Sequence, residues 1–556
     1  MYPLRHLSLA TLFALYAYAA PDAGSLSQGI EKQLEQPKFQ PSAPTLKVDS
    51  PSQKQTNASS VKVTVGKFTL SGNTVISTQE LQTVLVPFVG KKLTFDELQN
   101  VTRLIADYYF QKGYSARAFL PPQEVDKGVI GIIILEGKLS AIEIDAETAK
   151  RLDKEQAKNI ISEAHPIGET LEIAKVERGL MLLGDTPGIL TSSSLAAGDT
   201  AGDSKLKVKL QDGPLFTGSL SYANSGSKDT GSDQFSLSSA LNSPLGIGDQ
   251  VTLQAMKTRG IDYGKVGYSI PVGYSGLRLG ANVSAMQYEV IEGTDADGKA
   301  STVGLSAYYP LIRSPKMNLT LQANYDKKAY LNKTSGVTIS DKQNDVLSVA
   351  LSASHNDDSG QTTYGISASR GKIDLGDSLS DLLADQAAAQ TNGNFSKVVF
   401  NASRYQSLSD GFAFIASGSL QKSNKNLDSS EKLYLGGMSG IRAYPSNEAG
   451  GDEGWTLNLE LMKNLYDGFS TSLFYDIGRI TQHHSLYTGW QGAGLAGNSY
   501  TLKGYGATLG YTQGSWSAKA IVAWKDGDNP NPQPDGSDND GTDKNPRVWA
   551  QLMKQF

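Results

Sequence analysis

The feature that most constrains this chain is an alternation of apolar and polar residues that runs through residues 215–556. In the clearest segment, 317–325, one face carries Met, Leu, Leu, Ala and Tyr, and the other carries Asn, Thr, Gln and Asn. A period of two predicts a β-strand whose two faces meet different surroundings. Lipid outside and water inside is the pattern of a transmembrane β-barrel, and the 57 Gly and 25 Tyr residues fit it.

Sixteen such segments predict a 16-stranded antiparallel transmembrane β-barrel over residues 213–556, without an amphipathic helix. They begin near residues 215, 233, 250, 263, 276, 301, 317, 344, 361, 396, 411, 455, 469, 500, 515 and 547. Short connections alternate with long ones, and the long ones cover 225–232, 290–300, 330–343, 371–395, 422–454, 481–499 and 526–546. Short turns of such barrels face the periplasm, so both barrel ends are expected there.

Residues 1–19 have the pattern of a secretory signal peptide. Arg5 supplies a positive region, 7–15 an apolar core, and Ala17-Tyr18-Ala19 a small-x-small cleavage pattern. An uncleaved transmembrane helix is the alternative, but a span needs roughly 20 apolar residues and this run is shorter. The absence of Cys excludes a disulfide scaffold, and the net charge of −5 gives no reason to expect nucleic acid.

The segment after the signal peptide predicts a tethered helix. A short helix is expected over 25–36, within an N-terminal segment 20–40. The Pro/Ser/Gln/Lys-rich stretch 41–60 is typical of a flexible linker. Such a short helix is marginal in water, so we expect it to pack on something or to be disordered.

Two similar units are predicted between the linker and the barrel. Residues 61–136 and 137–212 each show the order strand, helix, helix, strand, strand, which indicates an internal repeat. The helices of the second unit are expected over 146–164 and 170–183. The alternative is a pair of small α+β domains of no special kind.

The loop predicted at 422–454 contains the stretch GGMSGIRAYPSNEAGGDEGW, with six Gly residues and a single arginine, Arg442. Two predicted strands after this loop, alternation places Leu473, Tyr475 and Ile477 towards lipid and Phe474, Asp476 and Gly478 towards the lumen. A carboxylate in a channel wall favours a cation, so Arg442 is expected to fold inward and bind Asp476 in a wet lumen. The alternative is that Arg442 is a solvated loop residue and Asp476 pairs with a lumen lysine.

Together these features resemble the TpsB transporters of two-partner secretion, relatives of the BamA-like barrel assembly factors, and the repeated units resemble POTRA domains. The stretch Ile441-Arg442-Ala443-Tyr444 resembles the family's Val-Arg-Gly-Tyr/Phe loop motif, except that Ala443 replaces the usual Gly. Residues 474–478 resemble its Phe-x-Asp-x-Gly strand motif, in which Arg and Asp pair inside the barrel. The resemblance implies a loop-to-wall contact made by Arg442, Tyr444, Phe474, Asp476 and Gly478.

The resemblance implies an outer-membrane transporter rather than an enzyme, with no cofactor. It would secrete one large TpsA-type, β-helical exoprotein to the cell surface without nucleotide hydrolysis, acting as a monomer in contact with outer-membrane lipid. The POTRA-like units would capture the cargo at their sheet edges, and the N-terminal helix would plug the lumen at rest. A BamA-type insertion factor and a passive porin or TonB-dependent receptor are the rivals.

Two other stretches raise the question of a metal. Adjacent His483 and His484 lie in a predicted outer loop, without a third ligand in a recognisable spacing. The acidic stretch 526–543 does not fit the EF-hand pattern, because Gly536 takes the first ligand position and Arg547 stands where the bidentate Glu belongs. We therefore expect a solvated acidic loop, and neither a metal site nor a catalytic residue.

Overall fold

The computed structural model of the chain describes residues 21–34, 47–48, 62–147, 149–491 and 496–556. The predicted signal peptide lies outside them, as does most of the predicted linker. The described chain begins with helix α1 (Ala23–Leu34) and a two-residue strand, β1 (Lys47–Val48). In these ranges, no helix is both long enough and apolar enough to span a membrane.

The first domain follows the predicted order, with one extra pair of short strands. Its elements are β2 (Lys62–Thr64), β3 (Lys67–Ser71), α2 (Thr78–Leu85), β4 (Lys92–Thr94), α3 (Phe95–Gln111), β5 (Ala116–Phe119) and β6 (Val129–Glu136). Strand β6 is central, parallel to β3 and antiparallel to β5. Its side chains alternate between buried and half-buried, because the helices cover one face of the sheet.

Glu136, at the end of β6, is a buried acid that binds the backbone of Thr74 and Val75, just before α2. Thr74 N and Val75 N donate to its Oε1 at 2.7 and 2.8 Å, and the hydroxyl of Tyr109 donates at 2.8 Å. Burial acts to raise the pKa of Glu136, but these bonds and one from the Thr74 hydroxyl outweigh it, and the pKa is lowered.

The second domain repeats the same pairing. Its elements are β7 (Lys138–Asp145), α4 (Lys154–Ala164), α5 (Ile173–Gly184), β8 (Ile189–Ala197) and β9 (Asp203–Asp212). Strand β9 is central, parallel to β7 and antiparallel to β8, which confirms the predicted repeat. Helix α4 begins later than the expected residue 146, because Asp153 caps it by accepting from Glu155 N. Strand β1 lies parallel to β8, so Lys47 and Val48 of the predicted linker extend this sheet.

The barrel closes with sixteen antiparallel strands, as predicted. They are β10 (Phe216–Ala223), β11 (Gln234–Asn242), β12 (Gln250–Lys257), β13 (Ile261–Val272), β14 (Leu277–Glu289), β15 (Ala296–Arg313), β16 (Met317–Thr334), β17 (Val337–Asp357), β18 (Gly360–Asp374), β19 (Gly393–Ser407), β20 (Phe412–Ser423), β23 (Glu453–Asn464), β24 (Phe469–Thr481), β25 (Ser499–Gln513), β26 (Trp516–Lys525) and β27 (Arg547–Gln555). Two short strands, β21 (Leu433–Tyr434) and β22 (Gly450–Gly451), lie in the loop between β20 and β23.

Two details of the barrel prediction are wrong. The long loop expected at 330–343 is a two-residue turn, because β16 and β17 extend up to Ser335 and Gly336, whose φ angles of 48° and 75° suit a tight hairpin turn. The connection between β18 and β19 contains a helix, α6 (Leu379–Ala387), capped by Ser378. A nine-residue helix with no buried side chain gives little periodic signal in the sequence.

The seam where the barrel closes joins the first and last strands. Strand β10 pairs with β27 over only five residues, Ser219–Ala223, whereas its ladder to β11 covers all of β10. Gly218 and Phe556 add backbone hydrogen bonds in both directions at 3.0 Å. The seam is therefore the shortest ladder in the closed sheet.

The second domain sits against the end of the barrel that carries the short turns. The guanidinium of Arg313, at the end of β15, makes two bonds of 2.7 Å to the carboxylate of Asp185, which follows α5. Arg178 of α5 donates to the carbonyl of Pro310 at 2.8 Å, and the Ser243 hydroxyl donates to the carbonyl of Arg151 at 2.7 Å. The long loops consequently lie at the opposite end from the two domains.

Candidate functional site

The loop between β20 and β23 turns into the barrel and packs there. It folds on itself, since Ile441 N donates to the carbonyl of Leu435 at 2.8 Å and Gly436 N to that of Glu448 at 3.1 Å. Its apolar side chains join a buried cluster with wall residues of β24 to β27. The loop members of this cluster are Leu433, Leu435, Ile441, Ala443, Tyr444 and Ala449, and the wall members include Phe474, Leu502, Ile521 and Trp549.

Arg442 and Asp476 form a bidentate ion pair between this loop and β24. Arg442 Nε lies 2.9 Å from Asp476 Oδ2, and Nη2 lies 2.8 Å from Oδ1. The backbone N of Arg442 also donates to Oδ2 at 3.0 Å. Asp476 has no exposed surface and Arg442 is 5% exposed, so the expectation of a wet pair is wrong. The structure brings these two residues together, and Asp476 does not pair with a lumen lysine.

Two further polar wall residues from β23 complete the contact. Arg442 Nη1 lies 2.7 Å from Glu460 Oε2, and Asn458 donates to Asp476 Oδ1 at 2.8 Å. The guanidinium also lies 3.4 Å from the centre of the Phe474 ring, a cation–π contact. Sequence reasoning missed Glu460 and Asn458, although both stand on the polar face of an alternating strand.

Small residues in the wall allow the loop to pack closely against it. A Cβ built on Gly478 would lie 3.3 Å from Ile441 Cδ1, so the glycine leaves room for the loop. A Cβ on Gly504 of β25 would lie only 2.6 Å from the methyl group of Ala443. Ala443 is therefore accommodated because Gly504 has no side chain. Tyr444 is 1% exposed and lies under Lys525, whose Nζ is 5.4 Å from the ring centre.

The loop is also tied to both sides of the barrel seam. Trp549 of β27 donates through Nε1 to the carbonyl of Arg442 at 2.7 Å. The Ser446 hydroxyl donates to the carbonyl of Ser225, which lies between β10 and β11, at 2.9 Å. Nothing in the local sequence of these residues signals either contact.

A second anchor holds the earlier part of the loop to another sector of the wall. Lys342 of β17 binds Asp428 at 2.8 Å, and Lys397 of β19 binds Glu431 at 2.7 Å. Asn344 donates to Glu431 at 2.8 Å. The charges are reversed relative to the Arg442 contact, because here the loop supplies carboxylates and the wall supplies lysines.

Helix α1 lies inside the barrel against the second anchor. Lys342 Nζ lies 3.3 Å from Asp22 Oδ2, so this lysine is shared between Asp22 and Asp428. The Ser429 hydroxyl donates to Asp22 Oδ1 at 2.6 Å, and Ala23 N donates to Asn332 Oδ1 at 2.8 Å. The start of the helix is thus bonded to both the wall and the loop.

The acidic stretch 526–543 differs from the expected solvated loop. Asp538 is 1% exposed, with Arg547 and Lys525 at 3.0 and 2.8 Å, and Arg547 also binds Asp540 at 3.0 Å. Basic residues therefore neutralise its inner carboxylates. Burial raises the pKa of Glu448 to about 7 where the two loops meet.

The paired histidines have other partners in the structure. His484 Nδ1 lies 3.0 Å from Glu453 Oε1, and the ring of His483 packs edge-on against Tyr487 and Trp490. Within the described residues, no group of three or more His, Asp or Glu side chains is arranged to hold a metal ion.

Comparison with known proteins gives this architecture a family. The model of the haemolysin secretion/activation protein family ShlB/FhaC/HecB matches residues 202–504, which is more than half of the chain. The chain belongs to this family. A second model, the ShlB-type POTRA domain, matches residues 63–137.

Known proteins similar to this chain match it over almost its whole length. The heme/hemopexin transporter protein HuxB of Haemophilus influenzae (strain 86-028NP) is 27% identical, over 98% of this chain and 96% of its own. The outer membrane transporter CdiB of Escherichia coli O6:K15:H31 is 26% identical, over 94% and 92%. The solved structure of CdiB from Escherichia coli has the same fold, with a TM-score of 0.71 and 22% identity, covering 96% of this chain and 98% of that one.

The family assigns the chain to the TpsB transporters of two-partner secretion and not to the barrel insertion factors. It is an outer-membrane transporter of a secreted partner protein, with its POTRA domains in the periplasm. The short-turn end of the barrel, against which the second domain packs, is thus the periplasmic end.

Proposed function

We propose that this transporter carries a single large β-helical exoprotein of the TpsA type through its lumen, working as a monomer surrounded by outer-membrane lipid. The supporting observation is that two elements of its own chain, α1 and the loop between β20 and β23, fill the lumen and are held there by ion pairs with the wall. An occupied lumen needs a release step before cargo can pass.

The first part of the proposal concerns the closed resting state of the channel and how the channel opens. Helix α1 acts as a plug, and its bonds through Asp22 to Lys342 and Ser429 keep it seated. The sequence of the following stretch, 41–60, predicts a flexible linker, which would allow α1 to leave. Because no nucleotide-binding motif occurs in the chain, folding of the cargo outside the cell supplies the driving force.

The second part assigns a role to the motif residues. Arg442 and Asp476 keep the loop seated in the position that transport requires, with Phe474 supporting the guanidinium and Gly478 admitting the loop. Tyr444 is the apolar anchor of the loop tip. Their burial and short distances support this role.

The third part assigns cargo capture to the POTRA domains. Strand β5 is an edge of the first domain, where an extended cargo segment can add by main-chain hydrogen bonds. The parallel addition of β1 to β8 supports the proposal, because the second domain already accepts a short strand at its edge.

The experiment co-expresses the transporter with a candidate TpsA-type exoprotein, sought first in the neighbouring open reading frames, and measures cargo at the cell surface. Deleting residues 61–212 while keeping the signal peptide should leave a barrel in the outer membrane that exports nothing. Normal export by that deletion would contradict the capture role. Deleting residues 20–40 should raise and steady the conductance in planar bilayers, and an unchanged conductance would contradict the plug role.

A further inference from the structure

An apolar stripe crosses the lumen face of the barrel wall over five consecutive strands. The side chains are direct cross-strand neighbours, from β12 to β16, and all are buried. This lumen stripe consists of Met256, Tyr263, Met286, Ala300 and Tyr330. Interior faces of large outer-membrane barrels are normally polar, so the stripe needs an explanation.

The same row becomes polar at both ends. Ser236 of β11 precedes Met256, and Lys342 of β17 follows Tyr330. Four strand spacings make the stripe about 19 Å long. Because barrel strands tilt by roughly 40° from the axis, a row perpendicular to them climbs obliquely through the lumen.

Helix α1 covers the lumen stripe in the structure. Its four apolar side chains pack into one cluster with the stripe and its neighbours Ile261 and Tyr288. They are Ala23, Leu26, Ile30 and Leu34, at helical spacings of three and four. If α1 leaves for transport, as proposed above, this apolar surface is exposed to water at a free-energy cost that grows with its area.

The chemistry of the surface suits more than one occupant. Methionine is flexible and polarisable, so Met256 and Met286 can repack around side chains of different shape. The hydroxyl of Tyr288 donates to the carbonyl of Pro21 at 2.7 Å, outside α1, so the wall already binds one main-chain carbonyl of non-helical backbone.

We propose that the lumen stripe is a binding surface for apolar segments of the extended cargo, and that α1 is its resident competitor. The proposal rests on the transport function proposed above. In an extended chain, side chains on one face repeat about every 6.6 Å, so about three of them fit along the stripe. Cargo arriving at the stripe compensates for the loss of α1 contacts and thereby promotes plug release.

The first test places a photoreactive phenylalanine analogue at Met286 in the otherwise native, full-length chain. Cargo is stalled during export by a folded domain fused to its end. We expect crosslinks to cargo during export and to α1 without cargo. The matched control is the same analogue at Ser367, a lumen-facing residue of β18 outside the stripe. Equal cargo crosslinking at both positions would overturn the proposal.

The second test separates cargo binding from plug seating. Leu26→Asn with Ile30→Asn, in the full-length chain, should release α1 from the stripe, because it makes the packed face of the helix polar. In that background Met256→Gln with Met286→Gln should slow export roughly tenfold, which corresponds to 1.4 kcal/mol of lost binding. Unchanged export there would mean that the stripe serves only α1, and would overturn the proposal.

Barrel levels and heat-modifiable gel mobility are matched across the variants, so that folding failure is not mistaken for a transport defect. If the released-α1 chain itself exports nothing, the fault lies with the plug proposal. The crosslink from Met286 in the native chain then decides whether cargo meets the stripe.

Discussion

The Arg442–Asp476 contact gives the sharpest prediction, because its surroundings make the two single substitutions unequal. Arg442→Ala leaves two wall carboxylates, Asp476 and Glu460, without their cation in a buried site. Asp476→Ala leaves Arg442 with Glu460 at 2.7 Å and with the ring of Phe474. Loss of the arginine should therefore be more damaging than loss of the aspartate.

The magnitudes follow from the geometry. Removing one partner of a buried ion pair costs about 3–5 kcal/mol, and a loss of about 4 kcal/mol shifts the ratio of docked to undocked loop by about a thousandfold. Asp476→Ala should cost only about 1.5–3 kcal/mol, the range for hydrogen bonds to charged groups, since Glu460 still holds the guanidinium. The double variant should be no worse than Arg442→Ala, because both changes remove one shared interaction.

The assay is cargo secretion at matched barrel levels, combined with protease sensitivity of the loop in intact cells. Arg404→Ala is the matched control, because Arg404 makes a two-bond ion pair with Asp357 that is partly exposed at the periplasmic end. That pair should contribute about 0–1 kcal/mol. Strictly additive losses, or a greater loss for Asp476→Ala than for Arg442→Ala, would refute the reasoning.

Three further predictions concern other contacts. Gly504→Ala should impair loop docking and secretion because its methyl group would collide with that of Ala443, and Ala443→Gly should restore secretion in the same chain; failure of the rescue would contradict this packing. Asp22→Asn should increase channel opening in planar bilayers while leaving the contact of Lys342 with Asp428 of the loop. An unaltered conductance would argue against a role of Asp22 in holding α1 in the lumen. Glu136→Gln should destabilise the first domain by about 1–3 kcal/mol at neutral pH. Because the pKa of Glu136 is lowered in the native domain, the native domain should lose this stability as the pH falls below the ordinary value of 4.5. Hydrogen exchange of the full-length protein measures the stability of the domain, and the Gln variant should not show this loss at low pH.

The sequence predicted the barrel closely because two-residue alternation is a local signal. The starts of β16, β24 and β27 agree with the alternation to the residue. The same signal misplaced β17, since strands that extend past the membrane keep alternating with polar residues on both faces. Strand existence is therefore readable in the sequence, and strand length outside the membrane is less so.

The candidate site could be predicted only in part. Alternation placed Asp476 in the lumen, and the need of a wall carboxylate for a cation, together with the resemblance, indicated Arg442 as its partner. The contacts of Glu460, Trp549 and Gly504 depend on where the inward-folded loop meets the wall, which no local pattern specifies. The lumen stripe could not be predicted for another reason. In the sequence, an apolar face that points into the lumen cannot be distinguished from one that points to lipid, and only the closed barrel shows which face is inside.

The hydrogen bond from Trp549 to the loop has a consequence for the order of assembly. Strand β27 is the last to be synthesised, and its five-residue ladder to β10 joins segments at opposite ends of the barrel sequence. Such a non-local pairing is slow to form, because its loop-closure entropy must be overcome first. The carbonyl of Arg442 can accept from Trp549 only after β27 is in place. This bond between the wall and the loop therefore forms only after the last strand has joined the barrel, and a barrel truncated before β27 lacks it.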